Sequence, residues 1–438
     1  MLELNLNLQS ISLYGDICWF VVSRTISYKR VISLRNRESR KYNMKKFLLT
    51  ALISVALTAC GGGDDDDSEQ TSSPSTSISG ENTGILTDGV ISGVTFTTSS
   101  GVTGTTNENG EFTYNDNDQV TFNIGGVQLG ETIPAQSRIT PLELTSDTNY
   151  RESLMVFLQS LDSNSNHDDG IQINEVALKL LENSNININR PASELIQDSE
   201  FKQLAAQLGT TIVSPEQAKE NFQKALYKDI AGVWEFNRTN EHAVLVYIDE
   251  QGSFALGEAD ETDDAGTAGL ETGALNWDAL TGNIKPTFTR DTNGEWGLSH
   301  PAESKPYTLS FDGTVLSLFE PGVNETYALK RVSKVDGALT GGWKYSEGQI
   351  FAFFDNEYYF MIDPVGDSEC GQPGIEYGKY LLNSGRIYPE TPLFDTNLCA
   401  GLYDTTGETP SFAYSINNNL LTVQGEGESA VTLDRINP

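Results

Sequence analysis

Basic residues are scarce in this chain: 28 Lys+Arg face 61 Asp+Glu over 438 residues, a formal net charge of −33. So acidic a balance excludes nucleic acid as a partner, because phosphates need a basic face. Histidine is scarcer still. His167, His242 and His300 are scattered, with no HExxH and no zinc-ligand spacing among them. The four cysteines form no CxxC pair, which removes the commonest metal and thiol-redox motif. GxSxG and P-loop patterns are missing. With this many carboxylates, a glycosidase-like acid pair cannot be singled out by spacing. The chain is therefore read as not an enzyme, with no resident cofactor. No apolar run reaches the ~20 residues needed to span a bilayer. What the chain has in quantity is 40 Gly, 19 Phe and 17 Tyr, a composition of short strands and turns. Its length allows two to four domains with sizeable cores.

Met44-Lys45-Lys46 opens an apolar run over residues 47–59, which ends at Leu57-Thr58-Ala59-Cys60. A basic start, a short apolar stretch and small residues before the cut make a secretory signal over residues 44–59. Its last four residues resemble the bacterial lipobox. That resemblance implies a lipid on Cys60, the first residue of the mature chain. Gly61 rather than Asp follows the Cys, so it implies an outer-membrane lipoprotein, on the periplasmic face or the cell surface. Each buried CH₂ of such an anchor adds roughly 0.8 kcal/mol. Residues 1–43 precede a complete signal, so Met44 is read as the true start and 1–43 as an upstream artefact or a removed segment. Residues 1–59 carry nine Lys+Arg and three Asp+Glu; the remainder has 19 against 58, a net of −39. Cys370 and Cys399 are then the pair left in the exported part, and an oxidising compartment favours a disulfide between them.

Residues 60–83 form a solvated tether, with 61–80 mostly Gly, Asp, Ser and Thr and spanning an end-to-end distance of roughly 25 Å. Residues 84–146 read as a small β-sandwich. Val120, Phe122 and Ile124 alternate with polar residues. Strands over 90–98, 102–106 and 111–114 are expected, with Asn109-Gly110 as a tight hairpin turn. The series Val90-Ile91-Ser92-Gly93-Val94, Thr105, Asn109-Gly110 and Phe112 is similar to the carboxypeptidase regulatory-like β module, which implies a structural spacer. Residues 147–229 switch to the helical period. Leu154, Phe157, Leu158 and Leu161 form one stripe, and Phe201, Leu204, Ala205 and Leu208 another, stopped by Gly209. Ser214-Pro215-Glu216-Gln217 starts a further helix, giving three or four in all.

The loop between the first two helices resembles a degenerate EF-hand. Counted from Asn164, it puts Asn166 at position 3, Asp168 at 5, Ile171 at 8 and Glu175 at 12. Position 1 lacks a carboxylate, and the turn Gly falls one place late. Ca²⁺ held by Asn164, Asn166, Asp168 and Glu175, or a polar interhelical loop without metal, are both open readings.

The last 209 residues hold one unit twice. Ile230-Ala231-Gly232-Val233-Trp234 matches Leu339-Thr340-Gly341-Gly342-Trp343, and residues 249–254 match 355–360 without a gap. Gly269-Leu270-Glu271-Thr272-Gly273 matches Gly374-Ile375-Glu376-Tyr377-Gly378. Asp291-Thr292-Asn293 with Gly297-Leu298 matches Asp395-Thr396-Asn397 with Gly401-Leu402. Leu329-Lys330-Arg331-Val332 matches Leu433-Asp434-Arg435-Ile436. The period exceeds that of a solenoid, so residues 230–332 and 339–438 are expected as two β-barrel domains joined by 333–338. Gly232/Trp234 and Gly341/Trp343 resemble the opening strand of lipocalin-like barrels, which implies a Trp plugging each barrel base. Cys370-Gly371-Gln372, leading into Gly374-Ile375-Glu376-Tyr377-Gly378, also looks like units of exported bacterial lipoproteins. Asp291, Asn293, Asp395 and Asn397 are candidate site residues because both copies keep them, although Asp-Thr-Asn also suits an Asx-turn. The acidic run Glu258, Asp260, Glu261, Asp263, Asp264 reads as a solvated loop or a cation site.

The sequence thus leads to a mainly β chain with a small helical insert. An N-terminal β-sandwich and a helical segment precede two tandem antiparallel β-barrel-like domains. The expected role is a lipid-anchored binding or adhesion module for an extracellular or periplasmic ligand. The alternative is a lipocalin-like carrier of small apolar ligands, and the barrel interiors decide between them.

Overall fold

A computed structural model describes residues 79–299, 306–366, 371–404 and 410–436. These all belong to one compact unit, Ser77–Pro438. Cys60, Cys370, the signal, the region 1–43 and most of the tether lie outside the described residues. The fold is mainly β with a small helical segment, as the sequence pattern leads one to expect.

Strands β1 (Asn82–Leu86), β2 (Ile91–Ser92), β3 (Thr95–Thr98), β4 (Thr103–Thr105), β5 (Glu111–Tyr114), β6 (Gln119–Ile124), β7 (Val127–Pro134) and β8 (Arg138–Ile139) open the unit. They build a three-stranded sheet, β5-β1-β8, and a four-stranded one, β4-β3-β6-β7. Phe112 of the first sheet joins them, its ring 5.8 Å from Phe96 and 5.1 Å from Phe122 of the second. Two details differ from expectation. Gly93, at φ 83°, breaks the stretch 90–98 into two strands. Asn109-Gly110 turns the chain from one sheet to the other rather than closing a hairpin, since β4 pairs with β3 while β5 pairs with β1. A turn propensity sets a reversal but not which strands pair across it.

The helical segment holds α1 (Pro141–Leu144), α2 (Thr148–Ser160), β9 (Ile171–Gln172), α3 (Glu175–Leu181), α4 (Ala192–Leu195), α5 (Ser199–Leu208) and α6 (Pro215–Ile230). Residues 147–229 therefore contain five helices rather than three or four, because short helices at 175 and 192 add to the long ones. Asp147, Asp198 and Ser214 cap their helices through side-chain oxygens, and Gly209 ends α5 in the left-handed conformation. The module does not stand apart as a spacer. β2 pairs in parallel with β9 (Ile91↔Ile171), and one continuous core runs from Leu86 and Phe122 through Phe157 and Phe222 to Trp234.

Eight strands follow: β10 (Gly232–Phe236), β11 (Ala243–Ile248), β12 (Ser253–Ala259), β13 (Gly269–Ala274), β14 (Thr287–Asp291), β15 (Thr308–Phe311), β16 (Val315–Glu320) and β17 (Glu325–Arg331). Their order, β14-β13-β12-β11-β10-β17-β16-β15, is a curled half-barrel whose ends β14 and β15 do not pair. The isolated bridge Asn283↔Thr308 ties the β13–β14 loop to β15, and Trp277↔Ile284 closes that loop on itself. α6 packs against this segment. The Phe222 ring meets Trp277 edge-on at 5.2 Å, and the Tyr227 hydroxyl accepts the Trp277 N–H at 2.9 Å.

The second copy comprises β18 (Gly341–Tyr345), β19 (Ile350–Phe353), β20 (Tyr358–Asp363), β21 (Gly374–Asn383), β22 (Arg386–Pro389), β23 (Phe394–Asp395), β24 (Phe412–Asn417), β25 (Leu420–Gln424) and β26 (Val431–Arg435). Pairing of β20 with β21 and of β18 with β26 closes an eight-stranded antiparallel barrel, with β23 lying beside β21. Consecutive aromatics at 353–354 and 358–360 serve opposite faces of this sheet. Phe353 and Tyr359 point into this barrel, whereas Phe354, Tyr358 and Phe360 point outward into a second core. That outer core includes Val233, Leu245, Ala255 and Leu270 of the first copy, so the two sheets stack face to face.

The strand register corrects the match of 249–254 with 355–360. Phe254 stands opposite Gly273 and Tyr359 opposite Gly378, so Phe254 is equivalent to Tyr359, one residue earlier than the ungapped alignment gives. A one-residue slip would turn each strand inside out, and the buried faces forbid it.

Candidate functional site

Each barrel base is closed by the same pair. Trp234 and Trp343 are fully buried at β10 and β18. Their indole N–H groups donate to Ile230 O at 2.9 Å and Leu339 O at 2.7 Å. Arg331 lies over the Trp234 ring at 4.3 Å, and Arg435 over Trp343 at 3.9 Å. Each guanidinium also donates to backbone carbonyls of the incoming chain: Arg331 to Ala231 at 2.8 Å, and Arg435 to Thr340 at 3.0 Å. This end of each barrel is structural.

At the other end, the sequence reading passed over two glutamates. Glu271 and Glu376 project inward from β13 and β21, fully buried, and stand opposite Asp291 and Asp395. The Asp-Thr-Asn loops fold over them. Thr292 and Thr396 pin the loop by accepting the N–H of Leu270 and Ile375, both at 2.9 Å. The loop then turns so that Leu298 and Ser299 donate their N–H groups to Glu271 at 2.8 and 2.9 Å. In the second copy Leu402 and Tyr403 donate to Glu376 at 3.1 and 3.4 Å, joined by the Tyr359 hydroxyl. Gly297 and Gly401 are needed here, since a Cβ would fall 2.7 and 2.1 Å from the carboxylates.

Of the four residues kept by both copies, Asn293 and Asn397 are fully buried in these loops, where their amides donate to Trp296 O and Ala400 O. Asp395 caps its own loop through the N–H groups of Asn397 and Leu398, at 3.0 and 3.1 Å, while Asp291 is exposed. Burial pushes Glu271 up to about 7 and Glu376 up to about 8, against the pull of the N–H donors. The repeat itself marked these glutamates, because each sits mid-strand in a matched block where a lone acid has no local reason to be.

The acidic run also divides. Glu258 is the last inward residue of β12 and only 6% exposed, not part of a solvated loop. Burial, and then the charges of Glu271, Asp260 and Asp263, raise it to about 8. Asp263 caps Ala265 and Gly266 and accepts the Trp296 indole N–H, and Asp260 meets His242 Nδ1 at 3.1 Å.

The interiors of the two copies differ. Trp343, Phe353, Tyr359, Tyr380, Leu421 and Leu433 fill the closed barrel. In the half-barrel, Trp234, Leu256 and Leu329 fill the base, but the mouth carries Glu258, Glu271, Glu320, Tyr307 and Tyr327. The Tyr327 hydroxyl donates to Glu320 at 2.8 Å. Burial and the nearby Glu320 charge raise both tyrosines.

The EF-hand-like residues lie on the loop between α2 and α3. Asn164 accepts the Asn166 N–H at 2.8 Å and donates to Asp169 at 3.3 Å. Asp168 offers its carbonyl to Lys228 at 3.2 Å, and Glu175 opens α3 exposed to solvent. Asp162 is fully buried, one oxygen accepting the Gln172 N–H at 3.0 Å and the other 3.7 Å from His167 Nδ1. The loop edges a cleft of about 680 Å³ with Lys224, Tyr227, Lys228 and Glu250. Among the described residues, no three His, Cys, Asp or Glu side chains gather as a metal-ligand group, and no helix is long and apolar enough to cross a membrane. Cys399 follows β23, and Gly371 and Leu398, neighbours of the two expected disulfide partners, form an isolated antiparallel bridge.

No protein-family model matches the chain, and no curated protein does. Among solved structures, the Helicobacter pylori beta clamp bound to a DNA ligase peptide is similar at 9% identity over 50% of this chain and 65% of that one, with a TM-score of 0.10. The same clamp with 3,4-difluorobenzamide gives 9%, 50% and 63%, with a TM-score of 0.11. The matched part spans less than two thirds of each clamp, and likeness this low carries no argument about fold or function.

Proposed function

We propose that the protein is a lipid-anchored lipoprotein of the bacterial outer membrane that acts as a non-catalytic binding or adhesion module. The observation that carries this reading is the divergence of two copies of one barrel. The second is packed solid with aromatics and serves as a scaffold. The first keeps a polar mouth, held rigidly because the outer face of its sheet is stacked on the second barrel. A carrier of apolar ligands needs an open apolar interior of several hundred Å³. A filled lumen in one copy and buried carboxylates at the mouth of the other both argue against that use. The anchor reading rests on the lipobox-like residues ending at Cys60.

Metabolic labelling with a fatty acid, combined with protease shaving of intact cells, tests anchor and exposure together. Cys60→Ser is expected to lose the label and to move into the soluble fraction. An unlabelled wild type, with the variant still in the membrane, overturns the anchor.

A further inference from the structure

The internal repeat supplies its own control for the mouth of the half-barrel. Strand pairing fixes which positions correspond. Glu258 stands opposite Gly269 as Asp363 stands opposite Gly374, and Glu271 stands opposite Leu256 as Glu376 stands opposite Met361. In the second copy the protein satisfies every one of these acids. Asp363 accepts the N–H groups of Val365 and Gly366 at 3.0 and 2.8 Å. Glu376 accepts two backbone N–H groups and the Tyr359 hydroxyl. In the first copy Phe254 replaces Tyr359, so Glu271 lacks the phenol hydroxyl and keeps two backbone N–H groups, with the Ser299 hydroxyl beside it. Glu258 is 94% buried on the inner face, and no described residue donates a hydrogen bond to it. Burial disfavours the charged form of such a carboxyl until a counter-charge or donor arrives.

The opposite wall has diverged in the same sense. Alignment of the two last hairpins through Arg331 and Arg435 makes Tyr307, Glu320 and Tyr327 equivalent to Phe412, Gly425 and Val431. Three polar groups therefore line the first mouth where the second has two apolar side chains and a glycine. The first mouth thus sets carboxylates on β12, β13 and β16 around the phenol rings of Tyr307, just before β15, and Tyr327 of β17, with the Phe236 ring edge-on to Tyr327 at 5.9 Å. Acids spread around a lumen, rather than converged on a point, with ring faces between them, suit an ammonium group better than a bare metal ion.

We infer that the mouth of the first barrel binds a small ligand bearing primary ammonium groups, a polyamine or alkylamine, with Glu258 as the principal counter-charge. This rests on the binding-module reading and names its ligand class. Glu258 and Glu271 take the leading ammonium, and Glu320, held by Tyr327, takes a second one across the mouth.

The test uses the full-length protein in detergent micelles at pH 8 and low salt, with calorimetric titration of spermidine, butylammonium and palmitate. Spermidine is expected to bind saturably at one per chain and butylammonium more weakly. Glu258→Gln and Glu320→Gln should each weaken spermidine at least tenfold. Asp264→Asn, which neutralises an exposed acid nearby, should leave the affinity within twofold. Circular dichroism of each variant separates loss of binding from loss of fold, and either of the two glutamine variants suffices if the other does not fold. Absence of saturable spermidine binding by wild type overturns the proposal, as do glutamine variants that bind like wild type. Silence towards both spermidine and palmitate overturns the ligand class alone. Stoichiometric palmitate uptake overturns the module reading as well, in favour of a carrier.

Discussion

The core shared by the two barrels should make them unfold as one, and Phe360 tests this. Its ring is fully buried, 5.4 Å from that of Tyr377, within the core that Val233, Leu245, Ala255 and Leu270 complete from the first copy. Phe360→Ala should cost about 3–5 kcal/mol, the range for deleting a buried ring where neighbours relax only in part. The partner face offers a matched perturbation. A Cβ on Gly257 would fall 2.7 Å from the Phe360 ring and 2.9 Å from Ile362, so Gly257→Ala should cost about 1–3 kcal/mol by overpacking. In the Phe360→Ala background the same methyl enters the vacated space. The double variant should therefore be at least as stable as Phe360→Ala alone, a coupling of about 1 kcal/mol or more. Urea unfolding gives the energies, and hydrogen exchange reads protection in β11–β13 and β19–β21 separately. Additive costs, or protection lost from β19–β21 alone, would refute a shared cooperative core.

Two further outcomes are expected. Glu376 is held at about 8 in the fold against 4.5 for the free group, so folding favours its neutral form. That stabilisation is complete below about pH 4.5 and is lost as pH rises through about 8, so wild type should weaken between about pH 5 and 8 and Glu376→Gln by less, the remainder coming from Glu258 and Glu271. Equal urea-midpoint shifts in the two proteins would sink this. Mass mapping of the unreduced protein should link Cys370 to Cys399. In the first copy the equivalent positions are in contact, Glu295 N donating to Ala265 O at 2.8 Å beside the bridge Gly266↔Gly294. Closing about 30 residues adds roughly 3.5 kcal/mol on the chain-entropy model, and free thiols at both sites after export would exclude the link.

The periodic parts of the fold were legible from sequence because their cause is local. The stripes at 154–161 and 201–208 name a buried helix face directly, and the alternation in β6 does the same for a strand. The duplication was legible because two Trp-Arg pairs impose the same residues twice. Pairing partners were not. Asn109-Gly110 announces a reversal, but whether the next strand returns to its neighbour depends on Phe112 finding Phe96 and Phe122 across a second sheet. Nor could the stacking of the barrels be read, because an outward Phe360 looks like an inward one until the register is known. Glu258 was hidden by number, as one among 61 acids, since no matched block contains it.

That concealment follows from how such a site arises. A duplicated barrel begins with two identical mouths, and whatever one copy lacks is visible only against the other. Matching letters preserve Glu271 and Glu376, which keep the same backbone latch in both copies and differ only in the neighbour on the adjacent strand. The difference lies where letters do not match: Phe254 for Tyr359, and Tyr307, Glu320 and Tyr327 for Phe412, Gly425 and Val431. Each change in that set either withdraws a protein donor from the first mouth or gives it a polar side chain its twin lacks. Selection for stability alone would favour an apolar side chain such as Leu over a buried Glu258 without a donor. Its presence, beside a twin barrel that satisfies the equivalent Asp363 and Glu376, is what favours the proposed ligand binding in the first copy and scaffolding in the second.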